Sequence, residues 1–355
     1  MTNYLLETDV LTPDEMSLLN SSHFLNVITP SQNSFVDNYF FIAILCNLID
    51  IAKKFERYIN KMEDVINRPI PLGTIVKGTI LYGAAFWGAN SATLDYLLRL
   101  GANPNIVDIA GQTPLHIAIT RLNTEISPSD EDKQLSEQEN FNKIKILINA
   151  TNLTIADKFG NTPLHYIMYK KNCDMFIPHL LANGSKSSQK NKAGKSAIHF
   201  HELSDKMRKK IKLWLDLADS IDAIENYGLQ LKNEEPDFQN ETLTRKKSRA
   251  MIDLAQSLRK KMATLEINKP DSNNNKSFVE LLHSQDNLLG APRGWKTIIA
   301  NVGLCLAGLG IIYLTAGFIH LAATRGQHFL FFSNTASQNK QRHVDHCIEK
   351  LTAKM

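Results

Sequence analysis

The stretch GQTPLH at Gly111–His116 recurs as GNTPLH at Gly160–His165. A weaker copy, GKSAIH, occupies Gly194–His199, and a degenerate copy, TILYGAA, occupies Thr79–Ala85. In chain order, the first and second copies lie 34 residues apart, as do the third and fourth. A unit of about 33 residues repeated along a chain predicts a stack of similar supersecondary units, a solenoid.

The spacing between the two middle copies is longer, at 49 residues from Thr113 to Thr162. The surplus falls within Arg121–Asn140, which contains the polar, acidic run SPSDEDKQLSEQEN. We interpret this stretch as a loop inserted between the two helices of that unit.

The motif residues have definite helical roles. Proline is accepted in the first turn of a helix, where its missing N–H would have no partner. The threonine before it can cap that turn, and the glycine two positions earlier permits a tight turn. The motifs resemble the ankyrin family, with about four repeats over residues 72–203. The resemblance implies an all-α solenoid of helix–turn–helix units with projecting turns and a concave, protein-binding face.

The flanking sequence predicts further helices. An apolar pattern over Asn38–Val65 predicts one or two helices that cover the start of the solenoid, and Asp205–Ala218 predicts a helix that covers its end. The expected organisation is a helical N-terminal cap at 1–71, ankyrin repeats at 72–203, a capping helix at 204–229, a polar amphipathic helix with linkers at 230–292, an apolar segment at 293–332 and a charged helix at 333–355. The amphipathic helix is expected to end before Pro270 and the DSNNNK run.

One segment is strongly apolar. No Asp, Glu, Lys or Arg occurs from Thr297 to Thr324. Within it, Ile298–Leu321 as a helix would extend roughly 36 Å at about 1.5 Å per residue, and a hydrocarbon core needs about 20 such residues. We expect membrane insertion, as one span or as a hairpin. The alternative is a buried central helix of a soluble C-terminal bundle.

A second resemblance concerns the C-terminal region. Arg293–Lys296, the glycine-rich apolar run, Phe329–Phe332 and the charged end resemble Legionella-type effectors secreted through type IV systems. This resemblance implies a secreted protein that acts on a host protein.

Charge and cysteine usage limit the chemistry. A net charge of +4 is small for 355 residues, so no nucleic-acid partner is expected. The four cysteines form no CxxC pair, a pattern typical of unpaired thiols in a reducing cytosol. We expect no metal, no cofactor and no catalytic residue.

The repeat register predicts partner-binding residues on the concave face and at the tips of the turns. Aromatic and arginine side chains on an open face are typical anchors for partners. The candidates are Phe86, Trp87, Arg121, Tyr166, Tyr169 and Lys170 on the concave face, with Ile109 and Phe159 at the tips. For Phe86 and Trp87, packing under the N-terminal cap is the alternative.

The functional hypothesis is a membrane-associated module whose repeats recruit a protein partner in the cytosol. Two alternatives stay open. One is an effector enzyme with a catalytic C-terminal part that the repeats target to a substrate. The other is a soluble scaffold in which Ile298–Leu321 is the core of a helical bundle.

Overall fold

The computed structural model describes residues 11–26, 35–72, 76–122, 130–170, 175–199, 205–234, 242–266 and 272–289, together with 298, 301–303 and 305–306. The chain divides into two compact units. The first is Met1–Ala218 with Met262–Thr264, and the second is Asp219–Lys261 with Leu265–Met355. The division falls within one long helix, whereas the sequence places boundaries at 203 and 229; those domain boundaries stay predictions.

The first unit begins with short helices that pack on one another. Their bounds are α1 Pro13–Asn20, a 3₁₀ turn His23–Asn26, α2 Phe35–Leu45, α3 Ile49–Glu56 and α4 Met62–Asn67. Every side chain from Tyr39 to Leu45 is buried, so α2 is the centre of this region. Asn47, at φ +60° after α2, accepts hydrogen bonds from the Asn90 amide at 2.8 Å and the Thr93 hydroxyl at 2.9 Å. These two bonds join the N-terminal helices to the first repeat-like unit.

A short antiparallel hairpin follows, which the all-α prediction missed. Strand β1, Ile70–Leu72, pairs with β2, Val76–Gly78, and Ile70 lies opposite Gly78. The physical reason lies in the sequence RPIP. Ile70 stands between Pro69 and Pro71, and a residue before proline is excluded from the helical region by steric clash. The chain is therefore mainly helical, with one two-stranded sheet among its described residues.

Three helix–turn–helix units follow the hairpin, each opened by a copy of the motif. The pairs are α5 Ile80–Phe86 with α6 Ser91–Arg99, α7 Pro114–Arg121 with α8 Asp130–Ala150, and α9 Pro163–Ile167 with α10 Ile177–Ala182. The fourth copy forms a 3₁₀ turn, Ala197–His199. The expected threonine cap is confirmed at the first two copies in chain order: the Thr79 hydroxyl accepts from the Tyr82 amide at 3.3 Å, and the Thr113 hydroxyl accepts from the His116 amide at 3.4 Å. This architecture is consistent with an ankyrin-like solenoid.

The inserted stretch differs from the predicted loop. Helix α8 already begins at Asp130, so 130–140 extends the second helix of its unit rather than looping out. The sequence over these residues is rich in Glu and Gln, which favour helix even when no apolar pattern is present. Glu139 anchors the extension, because its carboxylate accepts hydrogen bonds from the Ser91 amide and, at 3.0 Å, the Ser91 hydroxyl.

The C-terminal helices are α11 Asp205–Glu234, α12 Leu243–Met262, α13 Asn273–His283 and α14 Asp286–Leu289. Helix α11 contains the predicted capping helix but continues past Ala218 to Glu234. The predicted amphipathic face of α12 and the residues after it is buried throughout: Met251, Leu254, Leu258, Met262 and Leu265.

The second unit is held by a close helix approach and a charge cluster. A Cβ on Gly228 would lie 3.0 Å from the Ser248 carbonyl oxygen, so the absent side chain lets α11 and α12 approach closely. The Ser248 hydroxyl donates to the Gly228 carbonyl at 2.7 Å. Nearby, the Arg259 guanidinium donates to the carboxylates of Asp222 and, at 2.7 Å, Glu225.

The asparagine run predicted as a linker is instead the start of α13. The Ser272 hydroxyl caps this helix by accepting from the Asn275 amide at 3.2 Å. Asn275 is fully buried, and its side chain bonds both the amide (2.9 Å) and the carbonyl (2.7 Å) of Glu266. A buried amide with both groups paired stabilises the turn before the helix, a role that composition alone does not indicate.

The apolar segment Ile298–Leu321 lies largely outside the described residues. Of its few described members, Val302, Cys305 and Leu306 are buried. Among the residues that the structure describes, no helix has both the length and the apolarity needed to cross a membrane.

Two glycines of the repeat motif provide a matched test of the stacking. Gly160 and Gly194 have φ of +80° and +72°, but only at Gly160 would a Cβ meet backbone, 2.7 Å from the Lys192 nitrogen. Gly160→Ala should therefore lower the free energy of unfolding by roughly 1–2 kcal/mol more than Gly194→Ala, as measured by urea denaturation. Equal losses in the two variants would show that the turns do not pack as described.

Candidate functional site

The histidines of the two complete motifs join neighbouring units. Nδ1 of His116 accepts a hydrogen bond from the Thr113 amide (3.1 Å), and its Nε2 lies 3.2 Å from the Asn161 carbonyl oxygen of the next turn. His165 repeats the arrangement, with the Thr162 amide at 3.2 Å and the Lys195 carbonyl at 3.2 Å. A carbonyl only accepts and an amide only donates. Each ring is therefore neutral, with its proton on Nε2.

The environment of His116 opposes protonation. The ring is completely buried, and this burial is the largest cause that lowers its pKa from 6.5 to about 4. Burial also lowers the pKa of His165. A proton added at Nδ1 would point at an amide N–H, so the hydrogen bond to threonine would be lost.

Each projecting turn, here called a finger, is closed by its own polar side chain. Asp108 Oδ1 accepts from the amides of Ala110 (2.9 Å) and Gln112 (2.7 Å). Asp157 and Asn191 do the same in the second and third fingers, bonding the amides two and four residues on. The fingers thus have one repeated, internally bonded conformation.

Backbone hydrogen bonds also join successive fingers. The Lys158 amide donates to the Ala110 carbonyl at 2.9 Å, and the Lys192 amide donates to the Phe159 carbonyl at 2.9 Å. Together with the histidine bridges, these bonds fix the three fingers in a row. A row of fixed turns is a preorganised surface, which loses little entropy when a partner binds.

The finger residues singled out from the sequence are exposed. Ile109 is 53% exposed and Phe159 is 70% exposed. Val107, which the sequence reasoning missed, is 42% exposed. It lies next to the aspartate that closes the first finger, so the position could have been found from the Asp-x-x-Gly or Asn-x-x-Gly spacing of the fingers.

Three of the concave-face candidates are packed together. The Arg121 guanidinium carbon lies 3.9 Å from the Phe86 ring centroid, a cation–π contact. Trp87 meets Phe86 edge-on with centroids 5.1 Å apart, and it meets Phe24 of the N-terminal region at 5.4 Å. Phe86 and Trp87 are half-buried. Trp87 therefore has the contact with the N-terminal cap that was the alternative to partner binding.

A cavity of about 400 Å³ lies beside this cluster. Its walls include Phe86, Trp87, Arg121, Asn140 and Lys143. Arg121 is exposed, so it joins the packed cluster to the open surface.

Tyr166 lies among the fingers and is half-buried. Its hydroxyl donates to Asp157 Oδ2 at 2.8 Å and accepts from the Gln112 amide group at 2.6 Å. Burial, followed by the bond to Asp157, raises the pKa of Tyr166 to about 12. The side chain therefore bridges two fingers, and its hydroxyl is already committed within the chain.

Lys170 has a similar internal role. Its ammonium group donates to the carbonyls of Thr120 (2.6 Å) and Leu122 (3.1 Å), which lie at the C-terminal end of α7. Burial lowers the pKa of Lys170. A cation at a helix C-terminus is stabilised by the unpaired carbonyl groups there. Tyr169, the neighbouring candidate, is 54% exposed instead.

The eight candidates therefore divide into two groups. Trp87, Phe86, Tyr166 and Lys170 are half-buried, whereas Ile109, Arg121, Phe159 and Tyr169 are exposed. Whether any of them binds a partner stays a prediction. Within the described ranges, no group of three or more His, Cys, Asp or Glu side chains could hold a metal ion.

Comparison with known proteins supports the repeat interpretation. A family model described as ankyrin repeats (many copies) matches residues 84–127, from within α5 past the end of α7. The mouse (Mus musculus) protein Rabankyrin-5 is 29% identical over 144 residues, which cover 38% of this chain and 11% of that protein. The chain thus spans about a tenth of the length of this relative. Neither comparison shows the resemblance of the C-terminal region to type IV effectors, which stays a hypothesis.

The buried histidine predicts a specific acid sensitivity. Since the folded-state pKa of His116 lies near 4 and its ordinary value is 6.5, its contribution to stability is present above pH 6.5 and is lost as pH falls towards 4. The loss should be about 3 kcal/mol at 1.36 kcal/mol per pKa unit. His116→Gln should flatten the pH dependence of unfolding between pH 6.5 and 4, measured by urea denaturation. The control is His23→Gln, at an exposed histidine. If His116→Gln leaves the pH dependence of the free energy of unfolding unchanged, His116 is not the source of the acid sensitivity.

Proposed function

We propose that this chain binds a protein partner through its row of fingers and through Tyr169, which follows α9, without catalysing a reaction. Ankyrin repeats are protein–protein interaction modules, and residues 84–127 match them. The observation that carries the proposal is the exposure of large apolar side chains on a backbone that is otherwise fixed. Phe159 and Tyr169 are 70% and 54% exposed, although burial of each would be favourable.

The binding surface consists of Ile109, Phe159 and Tyr169, with Arg121 at its edge. Aromatic and arginine side chains carry much of the energy at protein interfaces. The finger backbone is held by the hydrogen bonds of Asp108 and Asp157, so a partner meets a preformed shape. We also propose four repeats over residues 72–203, with the turn Ala197–His199 as the described beginning of the last one.

The proposed mechanism is tethering. The repeats hold the partner, and the apolar segment holds the chain on a membrane with the repeats in a reducing cytosol. What supports the membrane part is the sequence: no Asp, Glu, Lys or Arg occurs from Thr297 to Thr324, and Trp295 and Lys296 precede the run as interfacial residues do. The same proposal makes the chain a secreted effector whose partner is a host protein, which is supported by the resemblance of its C-terminal region to such effectors.

Partner binding is tested with two matched double variants of the full chain. Phe159→Ala with Tyr169→Ala removes the proposed anchors, while Leu18→Ala with Tyr58→Ala removes side chains that are 49% and 37% exposed elsewhere in the first unit. Loss of interface anchors typically costs 2 kcal/mol or more, about thirtyfold in affinity. Affinity enrichment from cell extract, read by quantitative mass spectrometry, should lose the partner signal with the first variant only.

Two results would contradict the binding surface. Equal loss with both pairs would indicate a general effect on stability, and retention with both pairs would place binding on other residues. Thermal unfolding of each variant, followed by circular dichroism, shows whether the first unit is still folded.

Membrane tethering is tested by extraction. The full chain should resist carbonate and be released by detergent, whereas a chain that ends before Arg293 should be released from membranes by carbonate. If carbonate releases the full chain too, the apolar segment is not an integral anchor, and the alternative of a buried bundle helix is favoured.

A further inference from the structure

The third finger is strongly basic. It carries Lys186, Lys190, Lys192 and Lys195, all exposed, and no acidic residue occurs from Ser185 to His199. Lys158 of the second finger is also exposed. We call Lys186–Lys195 the basic finger. The first finger differs, since its one charged residue between Asn103 and Thr113 is Asp108.

The acidic side chain of the neighbouring finger does not neutralise these lysines. Asp157 is 6% exposed, and both of its carboxylate oxygens are occupied. Oδ1 accepts from the amides of Phe159 and Asn161, and Oδ2 accepts from the Tyr166 hydroxyl. Among the described residues, no ion pair involves a lysine of the basic finger. Like charges on one short loop repel one another, so the finger favours an anionic partner.

The backbone that carries the lysines is fixed. Asn191 accepts from the amides of Ala193 and Lys195, both at 3.0 Å. Lys190 and Ser196 form an isolated antiparallel bridge, and the Gln189 side chain donates to the Thr154 carbonyl at 3.1 Å. The Lys192 amide donates to the Phe159 carbonyl, so the charged finger is bonded directly to the finger that carries the exposed phenylalanine.

Along the row of fingers, the exposed side chains change from apolar on the first finger to basic on the third. The first finger presents Val107 and Ile109, the second presents Phe159, and the third presents lysines. A segment that crosses the fingers would therefore meet apolar side chains first and cations last. An anionic membrane would offer the same charge to all three fingers, so this change along the row favours a polypeptide over a lipid surface.

We propose that the basic finger recognises an acidic segment of a protein partner, and that an apolar side chain of the same segment seats on Phe159. This inference rests on the proposed function and names the chemistry of its partner. Each exposed charge pair adds little alone and is weakened by salt. Four lysines on one fixed loop act together on one segment, and the apolar contact fixes its direction.

The test uses a defined probe, a short fluorescent peptide of two leucines followed by six glutamates, with the full chain and anisotropy as the readout. The quadruple variant Lys186→Glu, Lys190→Glu, Lys192→Glu, Lys195→Glu should weaken binding at low salt by about tenfold or more. The matched control is Arg57→Glu, Lys61→Glu, Lys209→Glu, Lys212→Glu, which changes net charge equally at other exposed positions. It should change affinity by less than about twofold. Phe159→Ala should weaken binding of this peptide but not of one without leucines.

Three outcomes would overturn the inference: equal loss in both charge variants, equal binding of a glutamine version of the peptide, or binding of phosphatidylserine vesicles through the same lysines without peptide binding. If charge reversal unfolds the first unit, the neutral variant with glutamine at the same four positions should still give about threefold loss. If the peptide experiment fails but affinity enrichment of the partner still depends on Phe159 and Tyr169, the proposed function stands and only the acidic-segment inference is wrong. Loss of that dependence would count against the proposed function instead.

Discussion

The structure of the first unit depends on buried imidazole rings that must stay neutral. His116 and His165 each accept from the threonine of their own motif and donate to a carbonyl of the next finger. One side chain therefore satisfies a helix N-terminus and joins two repeats. The geometry needs a group with one acceptor and one donor on opposite sides of a small ring, which neutral histidine supplies. Burial keeps it in that state by lowering the pKa.

Fixed fingers decide which side chains remain available for a partner. The turns are closed by Asp108, Asp157 and Asn191, and Ile109 and Phe159 on these turns are exposed. Other residues that look like binding anchors in the sequence are used inside the chain. Tyr166 bridges two fingers, and Lys170 occupies the carbonyls at the end of α7. The fixed fingers therefore present Val107, Ile109 and Phe159 as exposed apolar side chains, and lysines on the third finger.

The sequence predicted those parts of the fold that depend on residues close together in the chain, such as the helix starts of the repeats. Within a few residues, the Thr-Pro-Leu-His pattern specifies a helix N-cap, the start of a helix and the histidine that bonds the next finger. The start of the first helix in each complete repeat could therefore be predicted from the sequence. The hairpin at Ile70–Gly78 was missed because its signal is the restriction that proline places on a preceding residue, not an apolar pattern. The helical extension at 130–140 differs from the predicted loop because polar composition does not exclude helix, and Glu and Gln favour it.

Other side-chain roles depend on contacts with residues that are distant in sequence. Motif spacing does not predict these contacts. The role of Lys170 depends on carbonyls about fifty residues earlier in the chain. The close approach at Gly228 depends on Ser248 of another helix. Asn275 was assigned to a linker by composition, but it is buried because Glu266 offers it both a donor and an acceptor.

The most direct test of this account is nitrogen-15 NMR of the imidazole rings in the full chain at neutral pH. The account predicts that His116 and His165 are both neutral and carry their proton on Nε2. It also predicts that the His116 signal does not titrate until the pH approaches 4. A proton on Nδ1, or a His116 signal that titrates near pH 6.5, would contradict the histidine links and the fixed finger surface that depends on them.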